Sequence, residues 1–460
     1  MKLTSKLFAA LFAALFALVI STSAHATVIA IIDSGTDLKH NDLKDKKWVN
    51  PIDIDDAVDN DDNGYIDDVN GWNFADGNNK LIDKQYLGTF SPDVYKFFEV
   101  QTRYLKGQAS AEDIAWLRQK VKESDFIAEL GVFGNFVHGT HVAGISAKNA
   151  EGAKIMGLKI IPTKAPTVGS GGGGGHGLEF FSANAGMDPD KLIKMGLKLL
   201  ASQQAKSLAP IGKYVAAEKA RLANCSFGTS TAAAKSILGP ILSKILKRDP
   251  TPEELQTYAI FFVGEVIQAS KALVDPAKNT LFVIAAGNDG MNNDEFPTSP
   301  ANIKQDNTIS VAATLGYDKL ASFSNYGAKM VEVAAPGVGI LSTVPGNQYV
   351  TVSGTSQAAP FVTNVAGMVL DTNPSLSNSD LKKILMTTSD LKDFLKGKVI
   401  SGGIVNLNRA VLAAKLSKSM QLSDAIDSAR VQVSDVDGRT YEKASTDYEG
   451  YVIPLPSLFY

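Results

Sequence analysis

The chain has 460 residues, 45 basic and 48 acidic, with one cysteine. That length holds one large α/β domain or two ordinary ones. The mildly acidic balance excludes a strongly basic nucleic-acid surface, so no nucleic-acid partner is expected. A lone Cys225 excludes an internal disulfide and leaves the core, with or without bound ions, to hold the fold.

Lys2 and Lys6 precede an unbroken apolar run, residues 7–20, and Ala24-His25-Ala26 offers the small residues of a cleavage site. The pattern predicts a secretory signal peptide over residues 1–26, hence a secreted chain, extracellular or periplasmic. The apolar run is shorter than the ~20 residues of a membrane span. No later run predicts one, so no stable membrane insertion is expected after cleavage.

Residues 28–32 form a continuous apolar, β-branched run, the pattern of a strand buried on both faces. Asp33 closes that run, at the carboxyl end where open α/β sheets place their sites. An acidic stretch follows. Asp59, Asp61 and Asn63 alternate, with Gly64 at the sixth position, like the start of an EF-hand loop. Asp59, Asp61 and Asn63 would supply side-chain oxygens to Ca2+, Tyr65 its carbonyl, and Asp67 a further or water-linked oxygen. The twelfth position is Asn70 rather than glutamate, so the loop is not a complete EF-hand. Crowded carboxylates without a cation repel one another, which favours structural calcium over a solvated acidic loop.

Two helices are predicted at 91–106 and 110–124, the second with a near capping box at Ser110; their place just before His138 suits either a lid or rim to a cleft or a merely structural excursion. Residues 138–147 predict a small-residue helix with His138 at its start. A strand at 155–161 precedes a low-complexity glycine stretch, 169–177. Asp188-Pro189 starts a helix to about Leu208. Residues 222–228 read as a strand ending in glycine. Thr251-Pro252-Glu253-Glu254 starts another helix, with Leu255, Tyr258, Phe262, Val266 and Leu273 on one face. Residues 281–286 form a buried strand running into Gly287-Asn288. Further strands are predicted at 308–314 and 331–334, and closing helices at 377–388 and 406–414. Between them a β-rich run, 348–353, meets Gly354-Thr355-Ser356, which opens an apolar helix to about Asp371. The Ser356 hydroxyl is thereby placed at a helix N-terminus, where exposed N–H groups favour negative charge.

Four boxes stand out in order: Asp33 after its apolar run, His138-Gly139-Thr140-His141, Ala285-Ala286-Gly287-Asn288, and Gly354-Thr355-Ser356-Gln357. Asp, His, Ser is one of the chain orders in which a hydrolytic triad occurs. In these boxes the chain resembles the subtilisin-like serine proteases, over roughly residues 28–414. The resemblance implies an α/β fold: a doubly wound, mostly parallel sheet with helices on both faces, over residues 27–417. It leaves helical insertions at about 86–134 and 187–275 and a tail at 418–460.

It also implies a serine endopeptidase acting on proteins or peptides, with no cofactor for the chemistry. Ser356 would be the nucleophile, His138 the general base, Asp33 its orienting partner, and Asn288 an oxyanion donor beside the Ser356 N–H. Ser226, Phe227 and Gly228 would pair with an extended substrate, and Ala286 and Gly287 count among the substrate-binding residues. Three departures stand beside this. Cleavage after Ala26 leaves no room before Asp33 for the family's N-terminal pro-domain or arm. Asn41 replaces a proline, and Gln357 replaces the usual methionine. The alternative is a catalytically silent secreted peptide-binding or assembly protein on the same fold. The tail is open between a small cap, a partner site and a late-removed inhibitory segment. Oligomeric state is not readable.

Overall fold

The computed structural model describes residues 26–164, 188–438, 452–453 and 455–458. Residues 1–25 of the expected signal peptide and the glycine-rich stretch lie outside the described residues. Fourteen strands are described: β1 (Thr27–Asp33), β2 (Gly71–Asn73), β3 (Ala153–Lys159), β4 (Leu222–Cys225), β5 (Thr229–Ser230), β6 (Leu281–Ala285), β7 (Thr298–Ser299), β8 (Thr308–Leu315), β9 (Lys319–Leu320), β10 (Val333–Pro336), β11 (Ile340–Val344), β12 (Gln348–Val352), β13 (Asp390–Leu391) and β14 (Gly403–Ile404). Ten form one sheet in the order β13-β14-β10-β8-β6-β4-β1-β3-β2, with β9 on the side of β8. All its pairs are parallel except β13 with β14 and β9 with β8.

Alternation along β1 divides the core into two layers. Ile29 and Ile31 join one apolar cluster, Ala30 and Ile32 another, and all four are fully buried. Burying each isoleucine contributes about 1.5–3 kcal/mol. On the first face lie the helices α1 (Pro92–Leu105), α2 (Ala111–Lys120), α3 (Ser124–Ala147), α7 (Thr355–Thr372), α8 (Asn378–Thr387), α9 (Leu407–Leu416) and α10 (Leu422–Gln432). On the second lie α4 (Pro189–Ala217), α5 (Thr231–Leu246) and α6 (Pro252–Val274). Helices on both faces of a mostly parallel sheet make three layers. The chain leaves β1 toward β3 and β2 on one side and crosses back to β4 on the other. The strand order therefore reverses beside β1, the place where open α/β sheets form a crevice at their carboxyl ends.

Four readings of the sequence need correction. The helix carrying His138 begins at Ser124, not at His138. Residues 124–134 therefore continue into it as one helix. Phe126, Leu130, Phe133, Phe136 and Val137 bury one continuous face, and this packing outweighs the weak propensity of Gly131 and Gly134. Helix α4 runs nine residues past Leu208, through Pro210. Its buried face continues in Ile211, Tyr214 and Val215, enough to offset the ~3 kcal/mol of an interior proline. Nothing in the sequence pattern predicts helix α5, because Pro240 interrupts it in the same way. Finally, one later segment, α6, is long and apolar enough to cross a membrane. Half of its most apolar window is nevertheless buried, with Phe262, Val263 and Val266 fully inside the second layer.

Candidate active site

Asp33 sits at the carboxyl end of β1, fully buried. Its Oδ1 accepts from the Ser34 amide at 2.7 Å and from His138 Nδ1 at 2.6 Å. That contact fixes the ring as the Nδ1–H donor and turns Nε2 away from the aspartate. Close approach depends on Gly139: a Cβ there would stand 2.2 Å from the Gly35 carbonyl oxygen. Gly35 itself has φ +120°, in the region that favours glycine.

Ser356 lies in the first turn of α7 and is 3% exposed. Its hydroxyl donates to the Ser226 carbonyl at 3.3 Å, and the Ser226 hydroxyl donates to the Ser356 carbonyl at 3.1 Å. Asn224 holds Ser226 from behind at 2.8 Å. The nucleophile's turn and the expected substrate strand are thus tied together. The Asn288 amide is oriented by its network. Its Oδ1 accepts from the Thr355 amide at 2.9 Å and the Thr355 hydroxyl at 2.7 Å. Nδ2 is left to point into the cleft, where it donates to the Ile453 carbonyl at 3.0 Å.

His138, Ser356 and Asn288 line one cavity of 420 Å³, together with Phe98, Ile127, Val132 and Val137. Phe98 comes from α1 and Ile127 from the early turns of α3, so the stretch read as an insertion supplies part of the apolar wall. Most of the wall's exposed area is apolar, as a site that keeps water from charged intermediates requires.

The other expected residues are placed less uniformly. Gly228 presents its amide to the cleft side, where it donates to the Pro456 carbonyl at 2.8 Å. Phe227 turns away into the second core layer and is 1% exposed. Ala286 accepts from Asn293 through its carbonyl at 2.9 Å, and the Gly287 amide donates to the Thr355 hydroxyl at 3.2 Å. Both therefore brace the Asn288 turn with the polar groups those bonds use. In the acidic loop, Asp59 and Asp61 both accept from the Asn63 amide, at 3.1 and 3.2 Å. Asp67 faces elsewhere, accepting from Asp56 and Ala57 at 3.0 and 2.8 Å. The Asn63 side-chain oxygen accepts from the Tyr65 amide at 2.8 Å. Among the described residues no group of three or more acidic, histidine or cysteine side chains converges as an ion would require. The five residues as arranged do not fit an ion without reorganisation.

His141, one turn beyond His138, is fully buried. Its Nε2–H donates to the Val350 carbonyl at 3.0 Å and also faces that of Ile340 at 3.2 Å, while Gln357 donates to its Nδ1 at 3.4 Å. It ties α3 to the β11–β12 hairpin that leads into Ser356. Burial pushes the imidazole down to about 4. A histidine depressed in the folded state contributes stability that is present above the unfolded value near 6.5. That contribution is lost as pH falls through the folded value. Unfolding stability is therefore expected to drop between pH 6.5 and 4, and His141→Gln should flatten that drop. Denaturant melts across the interval check it; parallel curves for the two proteins would contradict the assignment.

The Subtilase family model matches residues 132–416, more than half of the chain. The alkaline elastase YaB of Bacillus sp. (strain YaB) is 43% identical over 113 residues, 25% of this chain and 28% of that protein. Subtilisin-like protease 1 of Plasmodium falciparum is 26% identical over 416 residues, 87% of this chain and 45% of that protein. The chain thus spans less than half the length of these curated relatives. A solved cold adapted subtilisin-like serine proteinase aligns over 84% of this chain and 89% of its own, at 19% identity and TM-score 0.41. With a family match of that extent, this chain belongs to the subtilase family, a family of serine proteases.

Proposed function

We propose that the protein is a serine endopeptidase that hydrolyses peptide bonds through Asp33, His138 and Ser356, with Asn288 as oxyanion donor. The observation that carries this is the 2.6 Å Asp33–His138 bond at a cavity that Ser356 and Asn288 also line. In this reading the Ser356 hydroxyl turns from the Ser226 carbonyl toward His138 Nε2. His138 takes the proton as Oγ attacks a peptide carbonyl, and Asp33 stabilises the imidazolium. Charge developing on the carbonyl oxygen meets Asn288 Nδ2 and the Ser356 amide at the start of α7. His138 then protonates the leaving nitrogen, and water repeats the cycle to release the acyl group. An extended peptide adds along the Gly228 edge by main-chain hydrogen bonds, a mode that tolerates many sequences.

Secretion, outside the cell or into a periplasm, is part of the proposal. It rests on the charged, apolar and small-residue order of residues 1–26. A mature protein recovered from the producing cell should begin at Thr27 by mass; an intact Met1 would count against it. Calcium in the 59–67 loop is proposed as structural only, and taking it up requires that loop to leave the arrangement described above. A peptide-library digest with wild type and Ser356→Ala, run with and without chelator, tests these readings together. Cleavage by wild type alone supports the enzyme, and loss of cleavage on chelation supports the ion.

One observation favours the second reading, a catalytically silent peptide-binding protein on the same fold: the Ser356 hydroxyl is bonded to Ser226 rather than to His138. A digest in which wild type and Ser356→Ala are equally inert, while both still bind peptide, would support that reading.

A further inference from the structure

The groups assigned to substrate already have a partner within the chain. Asn288 Nδ2, the proposed oxyanion donor, holds the carbonyl of Ile453 at 3.0 Å. The amide of Gly228, the proposed edge for an extended peptide, holds the carbonyl of Pro456 at 2.8 Å. The hydroxyls of Thr229 and Ser457 meet at 2.9 Å. Ile453, Leu455 and Pro456 line the same cavity as His138 and Ser356. The fit is close on both sides. A Cβ added at Gly228 would stand 3.3 Å from Leu455 Cδ1, and one at Gly134 would stand 3.7 Å from Ile453 Cδ1. Val452 is 3% exposed.

From these contacts the geometry points to a built-in inhibitor. The chain's own Ile453, Leu455 and Pro456 occupy the candidate cleft as a substrate would, and a peptide must displace them to reach Ser356. This rests on the proteolytic reading of the site and adds its regulation. Two features of the segment suit the task. It binds through main-chain carbonyls at both anchor points, the groups every peptide substrate shares, so it competes with all of them. Its sequence Val452-Ile453-Pro454-Leu455-Pro456 has two fixed φ angles, which lowers the entropy lost on binding in an extended form.

The bond after the Ile453 carbonyl also resists turnover. Attack there would join Ser356 Oγ to the carbonyl carbon and break the bond to the Pro454 nitrogen. That nitrogen carries two ring carbons where other residues carry one carbon and a hydrogen, and the ring crowds the lone pair that must take the proton from His138. The segment is held at the site without offering an ordinary secondary amide to it.

The test uses the full chain and the double variant I453D/L455D, which places carboxylates against the apolar wall. Labelling by a fluorophosphonate serine probe is expected to run about 10-fold faster in the variant, as for a competent state populated about one-tenth of the time in wild type. An excess of a synthetic peptide covering residues 450–460 should return the rate toward that of wild type. Equal labelling rates at Ser356 in both proteins would overturn the inhibitor and leave the enzyme standing. No labelling of either would count against the enzyme itself. A second readout is independent of catalysis: hydrogen exchange at the Gly228 amide, measured in both proteins on the Ser356→Ala background. Exchange about 10-fold faster in the I453D/L455D protein is expected once Pro456 lets go. Identical protection would overturn the inference whatever the activity. Matching circular-dichroism melts confirm that the substitutions leave the fold intact.

Discussion

Ser356→Ala is expected to lower kcat by about 10⁶-fold with KM nearly unchanged, a magnitude taken from subtilisin rather than from this chain. The substitution removes one oxygen from a side chain that is already almost fully buried. Alanine is a good helix former, so the first turn of α7 should persist. The lost bond to the Ser226 carbonyl is long, 3.3 Å, and Ser226 keeps its own bond to the Ser356 carbonyl. Little change in melting temperature is therefore expected, which separates loss of chemistry from loss of fold. Residual turnover of about 10³-fold over water should remain, because the oxyanion donors and the cleft are untouched. A variant retaining a tenth or more of wild-type kcat would show that another group is the nucleophile.

Asn288→Leu should lower kcat by about 10²–10³-fold, again on the scale measured in subtilisin. The amide nitrogen, not the side chain's bulk, is what the reaction would use. Leucine also strips the Thr355 amide and hydroxyl of their acceptor, the Asn288 Oδ1. An orphaned buried donor costs about 1–3 kcal/mol, so a fall in melting temperature should accompany the fall in rate. Asn288→Asp separates the two effects. It keeps an acceptor for Thr355 and replaces the cleft-facing donor by oxygen, so stability should recover while kcat stays low. Saturating substrate is needed for this comparison, because either change also frees the Ile453 carbonyl. Recovery of kcat together with stability in the aspartate variant would show that Asn288 acts by bracing the α7 turn alone.

The elements that could be read from the sequence are those whose signal is local. Residues 28–32 announce a doubly buried strand because every side chain is apolar, and both core layers claim them. Ser110 and Thr251 announce helix starts because each caps its own helix reciprocally with Asp113 or Glu254. What stayed hidden depends on packing across the chain. The early turns of α3 carry Gly131 and Gly134, and only their contact with α1 and the first core layer makes them helical. Pro210 and Pro240 read as stops but sit inside helices whose buried faces carry through.

The site divides in the same way. The residue types and their order were legible, and so was the helix N-terminus under Ser356. For the stretch before His138, a rim to the cleft is one of two readings, but no motif singles out Phe98 and Ile127 as its wall. For the tail, an inhibitory role is one of three readings the sequence leaves open, and nothing in it places Ile453, Leu455 and Pro456 in the cleft. Its anchors are the carbonyls of Ile453 and Pro456, which every residue possesses, so no side-chain pattern could reveal them.

The central claim is that Asp33, His138, Ser356 and Asn288 form one hydrolytic centre. Mass mapping of a fluorophosphonate adduct tests it most directly, with wild type, Ser356→Ala and His138→Ala treated side by side. The account predicts a single adduct on Ser356 in wild type, none in Ser356→Ala, and strongly slowed labelling in His138→Ala. An adduct on a different residue, or labelling of Ser356 that is indifferent to the loss of His138, would contradict it.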